Sequence, residues 1–121
     1  GTTFGGNPVA CAAGVAVVEE IMEKGVMKHA AEMGALLRKE LEALHSTFPA
    51  TIAEVRGFGL MVGVELTRDA EPLVESMRER KILINGTDQT VLRFLPPLII
   101  EAEHIQATVR TLADVLGNLP G

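Results

Sequence analysis

The chain has 121 residues, 47% hydrophobic and 22% charged, with 11 basic and 16 acidic side chains and a formal net charge of -5. This composition rules out a disordered chain. The acidic balance and the scarcity of aromatics, with no Trp or Tyr, argue against nucleic acid or an anionic membrane as partner. A globule of this mass exposes about 6,300 Å² of the ~19,000 Å² that its unfolded chain would expose, which suits one compact domain, and a mean hydropathy of +0.26 implies that part of its surface meets a partner.

The first residues, Gly1-Thr2-Thr3-Phe4-Gly5-Gly6-Asn7-Pro8, read as a loop ending in an N-cap (Asn7) and a proline at the first helical position. A helix is predicted from 8 to about 24, ended by Gly25. Its first half, residues 9–18, is apolar on every side and so requires cover all round; Cys11 within it is expected to be a small core residue. This apolar run is about half a membrane span. Val26, Ala30, Met33, Leu37, Leu41 and Leu44 form one stripe of a second helix, with Lys28/Glu32 and Arg38/Glu42 as i,i+4 pairs on its outer face. Phe48-Pro49 breaks that pattern.

Two strands are predicted next, 51–56 and 60–66, joined at Gly57-Phe58-Gly59. In the second, Leu60, Val62, Val64 and Leu66 face one way and Met61, Gly63 and Glu65 the other. A short helix around 72–80 buries Leu73, Val74 and Met77, and Ile82-Leu83-Ile84 is expected as a short buried strand. Residues 86–89 turn the chain, 91–95 form a strand stopped by Pro96-Pro97, and a last helix over about 101–116 starts from a poor cap at Glu101. The order α, α, β, β, α, β, β, α, without repeats, predicts an α+β layer in which helices cover one face of a small, largely antiparallel sheet.

Three features bear on chemistry. The opening loop offers two hydroxyls and three glycines ahead of a helix N-terminus, where a phosphate could be held, yet its spacing matches neither a Walker loop nor a Rossmann fingerprint and on spacing alone better suits a plain capping turn. Arg93 lies in an apolar strand, where an arginine needs a carboxylate or open water: it either receives a substrate carboxylate or reaches solvent or an internal acid such as Glu65. The paired glycines of Arg56-Gly57-Phe58-Gly59-Leu60-Met61 favour a tight strand junction over catalysis. His29, His45 and His104 have no ligand spacing, so they are assigned to helix surfaces or ends and no metal is expected. The methionines read as core or interface filler. The lone Cys11 makes a reducing cytoplasm the expected default, and without a basic n-region or cleavage pattern no signal peptide is expected.

The opening loop with its Ala-rich helix resembles the segment after the catalytic lysine region in the class III pyridoxal-phosphate aminotransferases. Arg56-Gly57-Phe58-Gly59-Leu60-Met61, Ile82-Leu83-Ile84-Asn85 and Val91-Leu92-Arg93-Phe94-Leu95-Pro96-Pro97-Leu98 resemble the C-terminal small domain of the acetylornithine and ornithine aminotransferase branch, nearer the acetylornithine side. The resemblance implies a fold type I enzyme, a homodimer with active sites at its subunit interface, and pyridoxal 5'-phosphate as cofactor. It implies amino-group exchange between acetylornithine and 2-oxoglutarate, in arginine biosynthesis. By position, Thr3 matches the threonine that binds the cofactor phosphate of the neighbouring subunit, Thr2 matches a residue on the substrate side, and Arg93 matches the arginine that receives a substrate carboxylate. The resemblance divides the chain into a phosphate-arm loop and linking helix, 1–25, and a C-terminal small domain, 26–121. No catalytic residue is expected here: Lys24, Lys28, Lys39 and Lys81 sit among charged residues or at a helix end, unlike a Schiff-base lysine in an apolar pocket. Beginning at Gly1, the chain is expected to be an inactive piece of a longer enzyme. The alternatives are a sister class III enzyme acting on ornithine, succinylornithine or 4-aminobutyrate, or a non-catalytic α+β interaction domain.

Overall fold

The computed structural model describes residues 1–119; the last two residues of the predicted domain range lie outside the described part. Four helices and four strands follow in the expected order: α1 (Pro8–Glu23), α2 (Val26–Thr47), β1 (Ile52–Phe58), β2 (Met61–Leu66), α3 (Glu71–Glu79), β3 (Asn85–Thr87), β4 (Val91–Phe94) and α4 (Ala102–Gly117). The strands form one sheet in the order β1-β2-β4-β3, with every neighbouring pair antiparallel.

Binary patterning decides which face of the sheet is covered. Val62, Val64, Leu66, Leu92 and Phe94 point into the core, where they meet Leu37, Leu41 and Leu44 of α2 and Ile105, Val109 and Leu112 of α4. α3 adds Leu73 and Met77, both fully buried, and packs on α4. Burying a Leu or Met side chain of this kind stabilises the fold by about 1.5–3 kcal/mol. The opposite face carries Glu54, Arg56, Met61, Gly63, Glu65 and Arg93, all exposed or half-buried.

Local signals act where the sequence places them. Asn7 caps α1 by accepting from the Ala10 N–H at 3.0 Å, and Gly25 adopts φ +67° between α1 and α2. Glu101 makes no side-chain cap at the start of α4. Gly57 and Gly34 are required by close backbone approach. A Cβ on Gly57 would lie 2.2 Å from the Met61 carbonyl oxygen, and one on Gly34, in the middle of α2, would lie 2.5 Å from the carbonyl carbon and oxygen of Gly59. Helix α2 therefore rides directly on the tip of the β1–β2 hairpin, and Arg38 fastens it there by donating to the Gly57 carbonyl. That bond replaces the expected Arg38–Glu42 pair; the Lys28–Glu32 pair forms, at 3.8 Å.

Two further expectations are corrected. Residues 82–84 are not a strand. The N–H of Ile82 donates to Met77 O and that of Lys81 to Arg78 O, while Lys81 adopts φ +67°. This is a Schellman ending of α3 with lysine at the left-handed position. With the Ile82 N–H spent on the helix end, pairing begins only at Asn85; Ile82 and Ile84 pack on the core and Leu83 is 84% exposed. The turn correspondingly moves to Asp88 and Gln89, both at positive φ.

Cys11, expected in a core, is exposed, as is nearly all of α1. The helix has no buried residue, and Val9 and Met22 are more than 70% exposed. The accessible surface is 7909 Å², about a quarter above the ~6,300 Å² expected of a globule of this mass. A helix whose first half is apolar on every side thus stands without cover from the described residues.

Candidate functional site

Arg93 stands on β4 because strand alternation puts Leu92 and Phe94 in the core and Arg93 on the opposite face. Register then fixes its neighbours. Gly63 on β2 lies opposite Arg93, and Arg56 on β1 lies opposite Gly63. Two arginines thus flank a glycine across three strands, and the missing side chain leaves the floor between them open. A cleft of about 330 Å³ lies there, lined by Arg56, Phe58, Met61, Gly63, Val91 and Arg93. Arg93 also borders a second cleft, of about 380 Å³, whose apolar wall includes Leu83, Leu95 and Pro96.

The two guanidinium groups differ in their engagements. Arg56 donates to Glu65 at 2.8 Å and to Glu54 at 3.0 Å. The second oxygen of Glu65 accepts from the Thr90 hydroxyl at 2.5 Å. The Thr90 hydroxyl first, and Arg56 second, hold the Glu65 carboxyl below the ordinary glutamate range. Arg93 is exposed and makes no hydrogen bond or ion pair among the described residues. Arg93 does not pair with Glu65, whose two oxygens are engaged elsewhere, and it reaches solvent, so the solvent and substrate-carboxylate readings both stay open.

Thr2 and Thr3 lie in the exposed turn ahead of α1, with Gly5 N–H donating to Thr2 O and the Asn7 amide donating to Phe4 O. Neither hydroxyl is engaged by another described residue. The turn is tight enough that a Cβ on Gly5 would sit 2.7 Å from Thr2 Oγ1. Free hydroxyls, a compact backbone and a helix N-terminus fit an anionic group such as a phosphate. Neither cleft at Arg93 is lined by Thr2 or Thr3, so the chain does not itself unite its candidate contacts.

The four lysines are all exposed, so none matches a lysine activated by an apolar pocket. His29 is half-buried and ties α2 to the Ile100 carbonyl at 2.8 Å, a structural contact that helical spacing did not disclose. Among the described residues no group of three or more His, Cys, Asp or Glu is placed to hold a metal ion. No helix there is long and apolar enough to cross a membrane. Sequence reasoning also missed Arg56 and Thr90 as partners of Glu65. An acid alternating with glycine on an exposed strand face beside an arginine-bearing strand was the available signal.

Comparison with known proteins is consistent across sequence and structure. Residues 1–116 match the family model for aminotransferase class-III. The acetylornithine aminotransferase of Methanocaldococcus jannaschii is 49% identical over 119 residues, covering 98% of this chain and 30% of that protein. The ornithine aminotransferase of Bacillus subtilis is 42% identical over 118 residues, covering 98% of this chain and 29% of its own length. The crystal structure of acetylornithine aminotransferase from Elizabethkingia anophelis superposes with a TM-score of 0.88 at 28% identity, over 98% of this chain and 31% of that one. The chain thus spans about 30% of the length of the curated relatives it matches. On the family match over nearly its full length, the chain belongs to the class III aminotransferases.

Proposed function

We propose that the chain is the C-terminal part of a pyridoxal-phosphate-dependent aminotransferase that moves an amino group from N-acetylornithine to 2-oxoglutarate, in arginine biosynthesis. The observation that carries this reading is Arg93: a guanidinium held by sheet register, exposed beside two clefts and unclaimed by any described side chain. Its planar fork matches a carboxylate with two parallel hydrogen bonds, and both amino donor and 2-oxo acid carry one. Arg93 would bind and orient each in turn. Thr3 would hold the cofactor phosphate of the neighbouring subunit in a homodimer, and Thr2 would line the substrate side. When bound, pyridoxal phosphate supplies the electron sink for the transfer.

With all four lysines in solvent, the lysine that carries the cofactor belongs to the remaining polypeptide, and residues 1–121 alone are inactive. The parent enzyme is cytoplasmic in this reading, with a single unpaired cysteine in this part. Relatives named acetylornithine aminotransferase support the donor assignment. The 42% identity to an ornithine aminotransferase keeps ornithine as the second donor to assay.

The test is a full-length assay with acetylornithine, 2-oxoglutarate and added cofactor, repeated with Arg93→Ala. The expected loss in kcat/KM corresponds to about 2–5 kcal/mol, the range for truncating one partner of a desolvated charge pair. Unchanged kcat/KM in Arg93→Ala would make the arginine structural, and a higher kcat/KM for ornithine would reassign the donor.

A further inference from the structure

The register poses a question that Arg93 alone does not answer. Glu65 lies one pair along from Gly63 on the same sheet face. It is therefore the diagonal neighbour of both flanking arginines, about 7–8 Å away across each strand pair and within reach of long side chains. By position it has equal claim on Arg56 and Arg93. If it turned to Arg93, an internal salt bridge would occupy the group that a substrate carboxylate requires.

Three contacts decide the matter in the structure. One Glu65 oxygen is bound by Arg56 at 2.8 Å, the other by the Thr90 hydroxyl at 2.5 Å, and the second guanidinium nitrogen of Arg56 is held by Glu54 at 3.0 Å. Glu54 lies directly opposite Glu65, so two acids, one on β1 and one on β2, share one arginine. We infer that Arg56 and Thr90 are positioning residues: by engaging both oxygens of Glu65 they keep its carboxylate off Arg93 and leave that guanidinium open to an anionic ligand. This rests on the reading of Arg93 as a carboxylate receptor and gives that receptor a guard. Arg56 itself need never touch the ligand.

The experiment is calorimetric titration of the full-length protein with glutarate, a dicarboxylate that cannot accept an amino group, so that binding is read without turnover. Arg93→Gln is the reference. Arg56→Met frees Glu65 to approach Arg93 and should weaken glutarate binding about tenfold, whereas Arg56→Met combined with Glu65→Gln should restore it to within about twofold. Thr90→Val removes the other clamp without changing a charge. It should shift affinity the same way by about two- to threefold, and Glu65→Gln should again reverse the shift. In turnover assays the loss should appear in KM rather than kcat.

Equal weakening in Arg56→Met with and without Glu65→Gln would overturn the inference, because Arg56 would then act directly or through folding. Wild-type affinity in both Arg56→Met and Thr90→Val, with Arg93→Gln impaired, would overturn the positioning role alone. Wild-type affinity in Arg93→Gln would overturn the carboxylate-receptor reading and the guard together.

Discussion

The contact between α2 and the hairpin tip makes a prediction whose sign separates two physical effects. In Gly34→Ala, helix propensity favours the variant by about 1 kcal/mol, because glycine is that much poorer than alanine in a helix interior. Packing opposes it. The new Cβ would lie 2.5 Å from Gly59 C and O and 2.9 Å from Gly59 Cα, against 3.4–4 Å for ordinary contact. The atoms in the way are backbone, so relief requires about 1 Å of movement between helix and hairpin, against the Arg38 bond to Gly57 O. Overpacking of this kind costs roughly 1–3 kcal/mol, and its upper end applies where no flexible side chain can yield. The net expectation is a loss of about 2 kcal/mol, roughly a thirtyfold fall in the folded-to-unfolded ratio. Denaturant unfolding of the full-length protein measures it. Ala31→Gly, at an exposed site on the same helix, serves as control and should lose about 1 kcal/mol through propensity alone. A Gly34→Ala variant as stable as wild type, or more so, would refute the close approach of α2 to the hairpin.

Two other outcomes follow from the same geometry. Gly57→Ala should be more damaging than Gly34→Ala, at about 3 kcal/mol or more, because its Cβ would fall 2.2 Å from Met61 O at a φ of +151°; the yield of folded protein and its thermal midpoint report the loss. Glu65 has its folded-state pKa lowered by the Thr90 hydroxyl and Arg56. Its stabilisation is therefore complete above the ordinary glutamate range and is lost as pH falls below that range, so acid unfolding in Glu65→Gln should show a shallower limb there, while an identical limb would mean that Glu65 is not held by these partners.

The element order was readable because periodicity is a local property. The stripe of Leu37, Leu41 and Leu44, and the alternation of Val62, Val64 and Leu66, each survive as buried sets. Asn7 and Gly25 act where their chemistry predicts. The misplaced features depend on relations between elements. The Ile-Leu-Ile run has the composition of a strand, but the helix before it claims its first N–H. Cys11 lies in a helix whose apolar faces demand cover, and pattern alone does not say whether that cover comes from the same chain. The roles of Arg56 and Thr90 depend on which residue of β2 faces which residue of β1 and β4. That pairing is set partly by the irregularity between Ile52 and Glu54, which alternation does not reveal. Arg93 is conspicuous in the sequence because it interrupts an apolar strand; that Glu65 leaves it free depends on the partners Glu65 finds on β1 and at Thr90.

The two candidate anion contacts are organised in different ways. Arg93 is fixed from behind by Leu92 and Phe94 in the core and laterally by ladders to β2 and β3. Its position is a property of residues described here, and substitutions in the sheet should move it. Thr2 and Thr3 precede a helix with no buried residue, so nothing in the core of this chain sets where their hydroxyls stand relative to Arg93. Geometry in a binding site must be held to within fractions of an ångström to be productive. If Thr3 serves the neighbouring subunit's cofactor, as proposed, whatever covers the apolar faces of α1 would set where its hydroxyl stands in that subunit, independently of the sheet that holds Arg93.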